Sequence, residues 1–112
     1  MAVNGNPNVY TIYRGRYVVS APDGLDHICM LSNVNGVIFC GNYTADSTGK
    51  ICTLPTELRP ESAIHFPAYN VDYVLCHVKV DPQGIVTCDT PSKLIYLRGL
   101  SFNISCNYYT GE

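Results

Sequence analysis

The chain has 112 residues, a mass of 12.3 kDa and an apolar fraction of 46%, which suits one domain with a single core and leaves no room for two. Nine acidic against seven basic residues leave a net charge of −2, so no basic stripe points to nucleic acid or to an anionic membrane. No apolar run approaches the roughly 18 residues of a membrane span, and only 14% of residues are charged, the polar share falling to Asn, Ser, Thr and nine tyrosines.

Residues 1–8 are polar, Asn-rich and Gly/Pro-containing; they read as a linker or shaft-derived segment ahead of one domain over 9–112. They lack the basic and apolar stretches of a signal peptide. Runs rich in Val, Ile, Tyr or Cys then follow at 9–19, 25–31, 37–40, 51–54, 63–66, 71–80, 85–88, 94–97 and 100–109, each bounded by turn residues. Their spacing of 8–12 residues is that of an antiparallel β-sandwich or small barrel. In the first run, Arg14 and Arg16 lie between Tyr13 and Tyr17. Two arginines in an acidic chain are too few for a nucleic-acid stripe and suit the polar face of an edge strand.

Turns are expected at Ala21–Gly24, Asn33–Gly36 and Asp81–Gly84, where Pro presets φ in the first and third and Gly tolerates positive φ. Thr56-Glu57-Leu58 suits one helical turn, ended by Pro60. The strands alternate with period two. Val74, Cys76, Val78 and Val80 share one face, as do Leu100, Phe102, Ile104, Cys106 and Tyr108. Alternating strand directions gather the loops 41–50, 67–70 and 89–93 and the C-terminal tail at one end. That end would carry Asn42, Tyr43, Asp46, Tyr69, Asn70, Tyr109 and Thr110; the turns 33–36 and 81–84 would lie at the other.

Six cysteines, at 29, 40, 52, 76, 88 and 106, could form a disulfide framework. Each sits in a strand-like apolar run of a chain without a signal peptide, so reduced core thiols are expected instead. Their gaps of 11 residues and more lack the close Cys-x2–4-Cys pairs of structural zinc, and Cys76 and His77 are neighbours pointing to opposite faces; no metal or other cofactor is expected. His27, His65 and His77 read as surface or half-buried strand residues. A nucleophile elbow is absent, Gly49-Lys50 lacks the earlier glycine and following hydroxyl of a phosphate loop, and the acids lie in turns or on polar faces. Two Asn-x-Ser/Thr sequons, at Asn42 and Asn103, matter only in a secreted chain. The remaining signal is a Tyr- and Asn-rich surface, the composition binding loops favour for contact area with adaptable hydrogen bonds, most of all in Gly41–Lys50.

The segment Thr53-Leu54-Pro55-Thr56-Glu57-Leu58-Arg59-Pro60, followed by Ile64–Ala68, Val78–Val86 and Ile95–Phe102, resembles the C-terminal head, or knob, of bacteriophage tail-fibre and baseplate receptor-binding proteins. The likeness spans residues 50–103: a strand ending in a Leu-Pro…Arg-Pro corner, a Gly-x-Val hairpin and a closing apolar strand. It implies a β-sandwich or jelly-roll homotrimer in the virion, made in the host cytoplasm and binding a host cell-surface saccharide without catalysis, nucleic acid or membrane insertion. Glu57-Leu58 stands where such corners often carry Gly-Tyr, and six cysteines exceed what the family leads one to expect. No binding residue carries over by motif, so Asn42, Tyr43, Asp46, Tyr69, Asn70 and Tyr109 are the candidates from loop placement, with Pro55, Arg59 and Pro60 as the structural corner. Within the corner, Arg59 is expected to bond backbone carbonyls or a carboxylate. Three other readings stay open: a structural virion protein such as a fibre trimerisation cap or head decoration, a secreted disulfide-stapled binding domain, and a small glycan-cleaving enzyme.

Overall fold

A computed structural model describes residues 16–24, 27–31 and 36–104. The expected linker at 1–8, Arg14, Cys106, Tyr109, Thr110 and most of the turn at 33–36 lie outside them. The described chain is all-β. Its strands are β1 (Arg16–Val19), β2 (His27–Leu31), β3 (Gly36–Phe39), β4 (Tyr43–Thr44), β5 (Lys50–Thr53), β6 (Ile64–Asn70), β7 (Leu75–Val80), β8 (Ile85–Cys88), β9 (Leu94–Tyr96) and β10 (Ser101–Asn103), with one 3-10 turn at Thr56–Leu58.

All pairings are antiparallel and form two sheets, ordered β1-β2-β3-β10 and β4-β9-β6-β7-β8-β5. The larger sheet curls until it is nearly a closed barrel, its two outer strands, β4 and β5, being joined by the turn at 45–49. The sheets meet at a corner where Thr53 N–H donates to Ser20 C=O at 2.8 Å. One core lies between them, filled from the smaller sheet by Val19, Cys29, Val37, Phe39 and Phe102 and from the larger by Tyr43, Ile51, Ala68, Val78, Val86 and Ile95. The period-two pattern produces this directly: Cys76, Val78 and Val80 are buried while Leu75, His77 and Lys79 between them are exposed. In β5 the register shifts between Lys50 and Cys52, and consecutive Ile51 and Cys52 are both buried. A bulge places two residues against one and so lets neighbours share a face.

Two boundaries differ from the sequence expectation. The run at 63–66 continues as a strand to Asn70, so the chain reverses at 71–74, where the pattern had placed the start of the next strand. Val74, expected on the buried face, is therefore exposed. The reason is Asn70, whose side-chain Oδ1 accepts the N–H groups of Asp72 at 2.8 Å and Val74 at 3.1 Å and so closes the turn. Among the described residues the cysteines are free thiols: Cys29, Cys52 and Cys76 are buried, Cys40 and Cys88 half-buried. Burial pushes the Cys29 thiol up to about 12 and holds Cys52 well above the usual thiol range, so both stay protonated and unreactive at neutral pH.

The Leu-Pro…Arg-Pro corner is built as expected. Leu58 and Pro60 are buried beneath it, and half-buried Arg59 donates Nε–H to Leu54 C=O at 3.0 Å. Leu54 N–H in turn donates to Gly84 C=O at 2.8 Å, which ties the corner to the β7–β8 hairpin. Truncation in Arg59→Ala would leave the Leu54 carbonyl without that donor. A loss of about 1–3 kcal/mol is expected in urea unfolding; an unchanged midpoint would show that the guanidinium does not hold the corner.

Candidate functional site

Three hairpins of the larger sheet share one construction. Each begins with Asp or Asn, at Asp46, Asn70 and Asp81. In each, the side-chain Oδ1 accepts the backbone N–H two and four residues on: Thr48 and Lys50, Asp72 and Val74, Gln83 and Ile85. The backbone N–H of the first residue donates to the C=O four residues on, and its own C=O accepts from the N–H three residues on. This is a three-residue hairpin loop, a tight turn followed by a residue in the left-handed region. In two of the hairpins that residue is glycine, Gly49 at φ +92° and Gly84 at φ +84°. In the third it is Tyr73, at φ +60°.

A non-glycine residue in the left-handed region costs about 1–2 kcal/mol. Nothing in the turn asks for tyrosine there, since Tyr73 is 77% exposed. Among the described residues only Ser92 shares a positive φ without being glycine. The Tyr73 ring lies against Tyr96, centroids 5.8 Å apart and tilted by 41°. Tyr96 stands opposite Tyr69, and Tyr69 opposite Leu75, on the outward face of β9, β6 and β7. Together with Pro67 and Leu100 these side chains line an open groove of about 430 Å³. Burial, and after it the neighbouring Tyr73, raises the Tyr96 phenol above its ordinary value, so that hydroxyl is neutral at physiological pH. The groove thus presents flat rings and aliphatic carbons edged by phenol hydroxyls, a surface suited to packing and hydrogen bonding.

The loops 41–50 and 89–93 share one end as expected, but 67–70 is the end of β6 and the turn at 71–74 joins them in its place. Ala45 N–H donates to Lys93 C=O at 2.9 Å and Ser92 N–H to Asp46 C=O at 3.0 Å, while Val71 N–H donates to Leu94 C=O at 2.8 Å and Lys93 pairs with Asp72 at 2.8 Å. Of the described candidates, only Tyr69, on β6, lines the groove. Tyr43 is fully buried, stacked on His27 at 4.0 Å and edge-on to Phe39, with its hydroxyl 3.4 Å from both Cys29 Sγ and Ile28 C=O; it is a core residue and not a loop contact. The cause is that β4 interrupts the expected loop at Tyr43, opposite inward-facing Ile95. Asn70 is 2% exposed and spends its Oδ1 on its own turn. Asn42 accepts the N–H groups of Leu97 and Arg98 at 3.1 and 3.0 Å, pinning the 97–100 turn.

Asp46 borders a smaller hollow of about 180 Å³ with Ser20, Ala21 and Lys50. Hydrogen bonds from Thr48 and from the Lys50 backbone hold its carboxyl below the usual range, and its Oδ1 is committed to them. Tyr109 lies outside the described residues. Sequence reasoning missed Pro67, Tyr73, Leu75 and Tyr96. The recoverable signal was the spacing shared by Asp46-Ser-Thr-Gly49, Asn70-Val-Asp-Tyr73 and Asp81-Pro-Gln-Gly84, in which tyrosine replaces the turn glycine once.

Comparison of the chain with protein-family models, with curated proteins and with solved structures gives no match.

Proposed function

We propose that this protein is a non-catalytic binding domain, of the kind carried as a receptor-binding head at the tip of a phage tail fibre or baseplate, and that its groove between Tyr69, Tyr73 and Tyr96 takes a host-surface saccharide. The observation that carries this reading is Tyr73, held in a backbone conformation that glycine would fill at lower cost and spent on an exposed ring at the groove's edge. Strain at an exposed residue that the fold does not require is a mark of function. Tyrosine rings offer flat faces for the C–H side of a sugar ring and hydroxyls for its edges, with little conformational entropy to lose. The all-β fold of antiparallel sheets is compatible with the resemblance of residues 50–103 to such heads, as is the Arg59 corner.

The same face favours a second reading, a contact between copies of the chain. Val71, Val74 and Leu75 are 40%, 56% and 59% exposed, and aliphatic side chains in such number beside a groove suit a protein surface as well as a sugar. On that reading the domain is a structural cap, and the homotrimer is closed through this face.

The discriminating variant is Tyr73→Gly, which relieves the positive φ while removing the ring. It is expected to keep its melting temperature or gain by up to about 1 kcal/mol, and to lose binding to host cell-surface glycan in a titration in which the unsubstituted protein binds. Undiminished glycan binding by Tyr73→Gly and Tyr69→Ala would remove the groove from the site. Light scattering on Leu75→Lys separates the second reading: a trimer that falls to monomer there places the subunit contact on this face.

A further inference from the structure

We propose that His65 and His77 form a surface site for a divalent transition-metal ion of the Zn2+ type, separate from the tyrosine groove. In the β6–β7 ladder His65 stands opposite Lys79 and His77 opposite Pro67, so the two histidines are diagonal neighbours on the outward face, within reach of each other's side chains. Nδ1 of His65 lies 2.7 Å from Nε2 of His77, with the rings nearly perpendicular at 79° and both side chains exposed. A neutral imidazole carries one N–H and one lone pair. The contact is therefore one donor facing one acceptor, two ligand atoms converging on one point.

Two imidazole nitrogens bound to a tetrahedral ion at about 2.0–2.1 Å each stand about 3.3 Å apart. The pair must open by roughly 0.6 Å to admit the ion, a small rotation for two exposed rings on rigid strands. The donating ring must also move its proton to its outward nitrogen. The number of protons on the pair is unchanged, so the ion exchanges one N–H···N bond for two metal–nitrogen bonds.

The surrounding charge is divided. Lys79, across from His65 on the same face, opposes a cation. Asp89, whose carboxylate accepts the His77 backbone N–H at 2.9 Å, favours one. Two protein ligands leave the other positions to water, which makes the site open and exchangeable, and acid competes with the ion by protonating the rings. Imidazole donors suit Zn2+, Ni2+ and Cu2+ and not the hard cations Mg2+ and Ca2+.

The experiment is a titration of the reduced, folded protein with ZnCl2, followed by imidazole NMR and by calorimetry. The resonances of His65 and His77 are expected to shift together. Those of His27, held by Asp23 at 2.9 Å and stacked on Tyr43, should stay still and act as the internal control. His65→Gln and His77→Gln should each weaken Zn2+ binding about tenfold or more, because either one removes half of the protein ligands; MgCl2 should move neither ring, and affinity should fall as the pH is lowered. The proposal is overturned if the two resonances do not respond, or if the double variant binds Zn2+ as tightly as the unsubstituted protein, which would assign the ion to the thiols or to another surface group.

Discussion

Tyr43→Ala is expected to cost about 3–5 kcal/mol, the range for emptying an aromatic side chain from a packed core. The Tyr43 ring joins the two sheets. It belongs to β4 of the larger sheet, packs edge-on to Phe39 at 5.7 Å and stacks on His27 of the smaller one, and no part of it is exposed. Against a total stability of about 5–15 kcal/mol for a domain, such a loss leaves a large unfolded fraction. Urea unfolding with far-UV circular dichroism measures it. Tyr43→Phe keeps the ring and removes only the hydroxyl contacts to Cys29 Sγ and Ile28 C=O, so it should cost about 0.5–1.5 kcal/mol. A Tyr43→Ala protein with an undisturbed unfolding midpoint would show that the ring does not bridge the sheets.

Gly84→Ala is expected to cost about 3 kcal/mol, from two sources that a control can separate. Its φ of +84° alone penalises alanine by about 1–2 kcal/mol. A Cβ there would also lie 2.8 Å from both Arg59 Nε and Leu54 O, forcing apart the bond that locks the corner. Gly99 has a similar φ of +87° but open space around it, so Gly99→Ala should pay the conformational term only. The difference between the two midpoints reads the steric part. Equal losses at both positions would mean that the corner accommodates the methyl group and that Gly84 is required for its backbone conformation alone.

Arg59 and Tyr43 mark the boundary of what the chain's linear pattern reveals. The corner was legible because proline and arginine act locally: Pro55 and Pro60 restrict the backbone, and the Arg59 side chain folds back on a carbonyl five residues away. Tyr43 was misread because a tyrosine between Asn42 and Thr44 in a Gly-, Asn- and Asp-rich stretch has the composition of a loop. Only the pairing with Ile95, 52 positions later, makes it a strand residue facing inward. Asn70 and Asp46 misled for a related cause: an Asx side chain offered to a ligand and one offered to its own turn look identical in sequence.

By itself the sequence determined the all-β class, the inward faces of β7 and β10, the corner at 54–60 and the sharing of one end by the loops 41–50 and 89–93. These follow from two-residue periodicity, turn chemistry and strand alternation, which are properties of a few adjacent residues. The tertiary structure alone decided which tyrosines are buried and which are exposed, and that the larger sheet curls so that its edge strands β4 and β5 come close. It also decided that Tyr69 of β6, Tyr96 of β9 and Tyr73 of the turn between β6 and β7 converge on one groove. Those outcomes depend on register between segments far apart in the chain, and a shift of a single residue between β6 and β9 would turn Tyr69 or Tyr96 to the opposite face.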